Sequence, residues 1–555
     1  MLSCKIDIKD EFVPGSGWAD IPELNGTLVL SVSASRPGGI APLSVFFDGT
    51  GSEGDFINAN FFWDFDDPSG SHNTAKGFVA AHVFETPGTY NVSVNVTDIG
   101  GNQSTQNISI EVTAFSGTAY YVAAGGDDNG PGSEDRPFGT VEKGLSMLGP
   151  NVQVLFNRGD AFDVGNYVFE DISGPAIIGA YGSGAIPVLH NAQENWGIIA
   201  FRGVSNDIRI MDIMVTGTTL DRTQETAQAA FTMSDETSNI LLLRTEVEYV
   251  ARNAVFLYGT NNSVFDGYFH DFACYAAYAV GDGLAFVGNT SRRQTGNEHF
   301  YRTQGGSGQF VAFNDFDEIT DAKSSIQIRG FANNAVVLSN RIRKGMGFHP
   351  QNKESEEYVY NCLAEDNVAE SGLGITAKNV AVRNNLLLYG ITLDSHPLTG
   401  ISDNVNIFNN TIYGDMTVMV SGRGTDVQVK NNCYSTITAF KYAAAISMPD
   451  IDPAEALIDY NGYYAPDKES GEPLWFNFND VLYRSITDWQ QTGQDAHSFI
   501  ADPQFISTDF YSADFLRPQA GSPLEDAGEH VPVFSDIEGN PRDWNSPISI
   551  GAFEL

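Results

Sequence analysis

The chain has 555 residues, of which 30 are basic and 70 acidic, giving a formal net charge of −40. That balance excludes nucleic acid as a partner over most of the surface. The length exceeds one ordinary compact domain, although a solenoid escapes that limit by growing in one dimension. No apolar run of about 20 residues is present to cross a membrane.

Residues 1–25 read as a polar tether with Pro14, Gly15, Ser16 and Gly17. Within it Met1-Leu-Ser-Cys4 resembles the end of a bacterial lipoprotein signal, without the apolar stretch that normally precedes it. The resemblance implies lipidation at Cys4, a lipid anchor and a secreted or cell-surface location. The other cysteines, Cys274, Cys362 and Cys433, have no metal-ligand spacing and are expected as buried thiols.

Residues 26–113 show short strands with turn signals between them. Pro42 to Asp48 is a strand before a Gly-rich turn, Phe62-Trp63-Asp64-Phe65-Asp66 carries one large aromatic, and Thr86-Pro-Gly-Thr-Tyr90 leads into alternating Val92, Val94 and Val96. This pattern predicts an immunoglobulin-like β-sandwich. The residues closely resemble a PKD domain, with Asp66 where that family usually has Gly. The resemblance implies a spacer or a weak polymer-binding module.

Residues 118–450 are predicted to form a right-handed parallel β-helix. The Gly125–Gly132 loop and the Pro137–Leu145 segment resemble the opening of secreted β-helices, where a short helix plugs the end of the stack. The aspartates of that loop fit turns better than Ca²⁺. Then a motif recurs: an apolar alternating strand, Asn, and another apolar residue. Asn314, Asn340, Asn367, Asn385, Asn410 and Asn432 follow one another at 26, 27, 18, 25 and 22 residues. Such a period means stacked units that bury their apolar faces only together. Asn at a corner takes the left-handed conformation, and its amide can bond the Asn of the next coil. Residues 279–297 read as an excursion from the stack. Residues 451–555 resemble the C-terminal cap of bacterial β-helix proteins, so their Asp, His and Trp residues are assigned to capping. The fold class is therefore all-β.

Charge locates the candidate site. Between Arg292 and Lys344 eight basic residues face five acidic ones, a local excess of +3 in an acidic chain. Strand parity turns Ile326 and Ile328 inward and Gln327 and Arg329 outward. In the next coil Met346 and Phe348 point inward, leaving His349 beside Arg329. His299, Tyr301, Arg302 and Lys323 complete the candidate catalytic face. Lys378, Asp394 and His396 are candidates for substrate binding with Gln327. Cations gathered on a β-helix suit an acidic polysaccharide. Lys, Arg, His and Tyr can share the tasks of β-elimination: neutralising a uronate carboxylate, removing the C5 proton and protonating the leaving oxygen. Ca²⁺ is a candidate cofactor, with Glu298 as its ligand.

The segment also weakly resembles the alginate lyase and chondroitinase B family, through Glu298 to Arg302, Asn314-Asp-Phe316 and Gln327-Ile-Arg329-Gly330. By that resemblance Arg329 matches the family's catalytic Arg. The family's base Lys has no counterpart; Arg302 stands nearest, and Lys323 lies on another segment. Two alternatives remain open here. One is a glycoside hydrolase using carboxylates among Glu298, Asp315, Asp317 and Asp394. The other is a non-catalytic surface binding or matrix protein with a PKD stalk.

Overall fold

In the computed structural model the described residues are 21, 24, 26–191, 197–218, 220, 229–318, 323–350, 357–396, 400–414, 418–436, 444–449, 451–465 and 475–555. Cys4 and nearly all of the 1–25 segment lie outside them.

From residue 118 onward the strands wind into a right-handed parallel β-helix of three sheets. One coil shows the principle. Ile326–Arg329 lies in the first sheet, Phe331–Leu338 in the second and Arg341–Ile342 in the third. Each pairs in parallel with its counterpart one coil on: Met346–His349, Tyr360–Glu365 and Val368–Ala369. The period-two alternation sends Ile326, Ile328, Met346 and Phe348 into one continuous core. Each such side chain contributes about 1.5–3 kcal/mol by leaving water.

The corner between the second and third sheets holds the asparagine ladder. Asn314 Nδ2 donates to Asn340 Oδ1 at 2.9 Å, Asn340 to Asn367 at 2.9 Å, Asn367 to Asn385 at 2.9 Å, and Asn385 to Asn410 at 2.9 Å. The expected left-handed conformation belongs to the preceding residue instead: Asn384 (φ 55°), Asn409 (φ 53°) and Asn431 (φ 57°). Turn strain and amide stacking thus fall to neighbouring residues, because a side chain aimed down the ladder needs ordinary backbone angles. A second ladder accompanies it. Asn334, Asn361, Asn379 and Asn404 stack at the other end of the second-sheet strands, each with positive φ.

The helix Val141–Leu145 closes the N-terminal end as expected, with Val141 and Leu145 in the core. Asp128 accepts from the Gly139 and Thr140 amides at 2.8 and 3.0 Å, a turn-forming use. At the other end Trp489 is wholly buried, stacks on Phe476, and donates through Nε1 to Asp495. The region expected as a cap divides beyond that point. Residues after Ile500 run back along the flank, where Phe510 covers Arg341 and the Ala552 amide bonds Thr411. The expected excursion at 279–297 is absent. Ala277–Asp282, Leu284–Val287 and Thr290–Gln294 are regular strands of the three sheets, and Gly281, Gly283 and Gly288 at positive φ had masked the pattern. Cys362 and Cys433 are buried free thiols, and Cys274 is buried as well.

The N-terminal module is a sandwich of a three-stranded and a five-stranded sheet. Trp63 fills its core and donates to the Gly77 carbonyl at 2.8 Å. Asp66 adopts φ 57°, which explains how it stands in for Gly. The module is not a stalk. Leu241, Leu243, Phe265, Phe310 and Val336 of the β-helix's second sheet point outward into its hydrophobic core. Arg36 pairs with Asp207 at 2.5 Å, Lys76 with Asp366 at 2.8 Å and Arg244 with Glu85 at 2.7 Å across the junction.

Candidate functional site

The outer face of the first sheet carries the candidate site. Its register places Tyr278 beside Arg302, Arg302 beside Gln327, and Gln327 beside Gly347, with Arg329 beside His349. The predicted parity of Gln327, Arg329 and His349 therefore holds.

The site's upstream half is a braced cluster. Arg302 donates to the Tyr275 hydroxyl at 2.9 Å and to Gln304 at 2.7 Å, with its guanidinium over the Tyr278 ring. Tyr275 donates to Glu298 at 2.9 Å, and Lys323 donates to the same carboxylate oxygen at 2.9 Å. Burial pushes the Tyr275 hydroxyl above its ordinary range, so it remains protonated. His299 is buried, and its Nδ1 lies 3.0 Å from the Ser324 carbonyl, which it can address only as a donor. That leaves Nε2 as a buried acceptor without a hydrogen-bond partner. Burial holds this imidazole well below its usual pKa, and Arg302, Arg329 and Lys323 add to the effect. Gln327 donates to Ser324 Oγ at 2.6 Å and braces this arrangement.

Arg329 differs from Arg302. No hydrogen bond or ion pair reaches its guanidinium among the described residues, and its Nε is buried without a partner. Burial, then Arg302, pulls its pKa down. A cation held so is a receptor for an incoming carboxylate. The His349 ring lies over Gly347 and Gly374, close enough that a Cβ on either would collide with it at 2.3 and 2.6 Å. Burial and then Arg329 lower His349 to about 4, so its imidazole is neutral at physiological pH. Beyond it opens a groove of about 460 Å³ bordered by Lys323, Gln327, His349, Tyr389, Thr392 and Ser421, among others, and none of its described lining residues is Asp or Glu.

Several expectations fail. Tyr301 points inward, fully buried, and donates to Gln309 at 2.9 Å. It shares the inward column with Ala277 and Ile326, and the tyrosines on the face are Tyr275 and Tyr278. Lys378 opens the second-sheet strand Lys378–Arg383 and pairs with Asp403 at 3.3 Å. Asp394 is exposed, following Leu393 in the His349 column. His396 pairs through its backbone with Gly400, and its side chain lies outside the described residues. The local excess of +3 is split between faces. Arg292, Arg293 and Arg343 lie on the third-sheet side, paired with Asp315, Asp271 and Glu370. Asp315 and Asp317 lie there as well.

Glu298 makes a poor calcium ligand: a lysine ammonium and a phenol already occupy its oxygen, and Arg302 is close by. Among the described residues, the group that could hold a metal is elsewhere, at Glu248, His270 and Asp271 on the third sheet. There Arg293 already bonds Asp271 at 2.7 Å.

Residues 37–113 match the model of the PKD domain family. No curated protein matches the chain. Similar solved structures include a rhamnogalacturonan lyase, 13% identical over 73% of this chain and 96% of that one, with a TM-score of 0.39. Another is a mannuronic acid specific family 6 polysaccharide lyase from human gut microbiota, 15% identical over 65% of this chain and 87% of that one, with a TM-score of 0.40. A third is XylC in complex with xylose, 10% identical over 79% and 98%, with a TM-score of 0.44.

Proposed function

We propose that this chain is a polysaccharide lyase that cleaves a uronate-containing polymer by β-elimination. One observation carries the reading: Arg329, a guanidinium without a hydrogen-bond partner among the described residues, stands beside a neutral imidazole, His349, which borders a groove with no carboxylate among its described lining residues. Arg329 receives the uronate carboxylate and stabilises the charge that develops on it when the C5 proton leaves. His349 takes that proton. The C5–H electrons form the C4–C5 double bond, the C4–O bond breaks toward oxygen, and that oxygen takes a proton from the Lys323 ammonium. Lys323 suits the role because its side chain is half exposed, borders the groove and is held by Glu298. Tyr275, Arg302, Ser324 and Gln327 position these groups. A hydrolase would need paired carboxylates across the bond, and the described lining residues supply none. The donor set around Glu298, with an ammonium and a phenol on one carboxylate oxygen, does not fit calcium.

Incubation with acidic and neutral polysaccharides tests the proposal. Ultraviolet absorbance and reducing ends are expected to rise together on a uronate polymer, with or without a chelator. Reducing ends without absorbance would identify a hydrolase and sink the elimination mechanism. The pH profile gives a second test. His349 is the competent base above about pH 4, so kcat/KM is expected to show no acid limb near the ordinary histidine value of about 6.5. A limb there would remove His349 from the base role.

A further inference from the structure

We propose that Gly347 and Gly374 are positioning residues, which leave out a side chain on two adjacent coils so that the His349 imidazole lies down on the sheet. The catalytic consequence of this seat rests on the lyase reading above. The outward column of the first sheet runs Gln327, Gly347, Gly374 and Thr392 in register. His349 follows Gly347 by two residues on the same strand and shares its outward parity. Its ring folds back along that strand over Gly347 and reaches across to Gly374 in the next coil. A Cβ at 347 would lie 2.3 Å from Nε2 and 2.8 Å from Cδ2, and one at 374 would lie 2.6 Å from Cε1 and 3.1 Å from Nε2.

Neighbouring glycines show that this space is not needed by the backbone. At Gly345 and Gly372, just before the same two strands, a Cβ would meet the carbonyl oxygens of Gly372 at 2.3 Å and Gly390 at 2.2 Å. Those contacts are with the main chain of the next coil, which cannot yield. At Gly374 the three nearest atoms all belong to the His349 ring, and at Gly347 they belong to His349 and the Gln327 amide. Neither Gly347 nor Gly374 has a positive φ. Alanine therefore suits the backbone at both positions, and only side-chain tips have to move. The two absent side chains make room for the imidazole.

Seated in this way, the ring borders the groove together with Gly374. A methyl group at 374 would lift it away. A displacement of about 1 Å at a reacting group can cost about 10²-fold in rate. Lifting also returns the imidazole to water, while its charged neighbours in the column stay in place: Arg329 on the coil before and Asp394 two coils beyond.

Gly374→Ala is the cleaner test, because its methyl meets the His349 ring first. Two quantities are compared with wild type: the rate of unsaturated-product formation and the His349 ring titration, followed by NMR on histidine-labelled protein. The variant is expected to fold and to lose about 10²-fold in kcat, with KM little changed because Arg329 still holds the carboxylate. His349 should titrate at about 4 in wild type and move toward the ordinary value of about 6.5 in the variant. The acid limb of kcat/KM should rise with it. In a His349→Ala background, Gly374→Ala should leave the melting temperature unchanged, since the group it displaces is gone. A His349 titration that stays at its wild-type position in folded Gly374→Ala would overturn the inference, whatever the rate. Loss of folding would assign the glycine to the backbone and overturn it too. No unsaturated product from wild type on any uronate polymer would sink the lyase reading, while the titration and the melting temperatures would still decide whether the seat exists.

Discussion

Arg329→Ala is expected to lower kcat/KM on the cleaved polymer by about 10²–10³-fold without loss of thermal stability. The two halves of this prediction have one cause. The guanidinium is largely buried and has no hydrogen-bond partner among the described residues. The free protein therefore bears a desolvation cost that a carboxylate ligand would offset. Removing the side chain relieves that cost, so the melting temperature should hold or rise. A purely structural arginine would behave oppositely, with stability lost and turnover kept. The pH profile separates the roles further. Arg329 is the second cause of the low His349 pKa, so the residual activity of Arg329→Gln should show an acid limb at higher pH than wild type. Wild-type turnover in folded Arg329→Ala would remove it from the site.

Parity made this part of the site legible. Ile326, Ile328, Met346 and Phe348 must face the core, so Arg329 and His349 must face out together. Parity fails where the chain turns a corner. Phe300 and Tyr301 are both buried, so the sequence does not fix the register of Glu298 to Arg302, and of the adjacent Tyr301 and Arg302 only Arg302 reaches the face. Tyr275 follows Cys274 at a similar corner, where no periodicity marks it. Lys378 failed for the same reason: Thr376 and Ala377 turn the chain into the next sheet before it. The docking of the N-terminal module did leave a signal. Ile240-Leu-Leu-Leu243 is apolar at consecutive positions, as a strand buried on both faces requires. Its outward residues Leu241 and Leu243 enter the PKD core.

Arg383→Met is expected to destabilise the whole molecule by about 3–5 kcal/mol, read as a lower cooperative melting temperature by calorimetry. Arg383 joins three parts of the chain. Its guanidinium donates to the carbonyls of Asn58 in the PKD module (3.2 Å) and Pro532 in the C-terminal segment (3.0 Å), and pairs with Glu365 of the β-helix at 3.0 Å. Both members of that pair are almost fully buried. Without Arg383, Lys76 is the cation left in an ion pair with the buried carboxylates of Glu365 and Asp366 among the described residues. Burial has already raised Asp366 to about 7, with Glu365 adding to it against the pull of Lys76. An acid whose folded pKa is raised binds its proton more tightly when folded. Its contribution to stability is complete below the ordinary value of 3.8 and is lost as pH rises through about 7. Losing Arg383 removes a cation from beside this acid pair and should raise Asp366 further. The deficit of Arg383→Met should therefore be smallest near pH 4, where a proton replaces the missing cation, and largest above pH 7. If the PKD module were an independent spacer, its own transition would be unchanged by the substitution. A single transition that moves as one unit, by an amount that grows with pH, distinguishes a docked module from a tethered one.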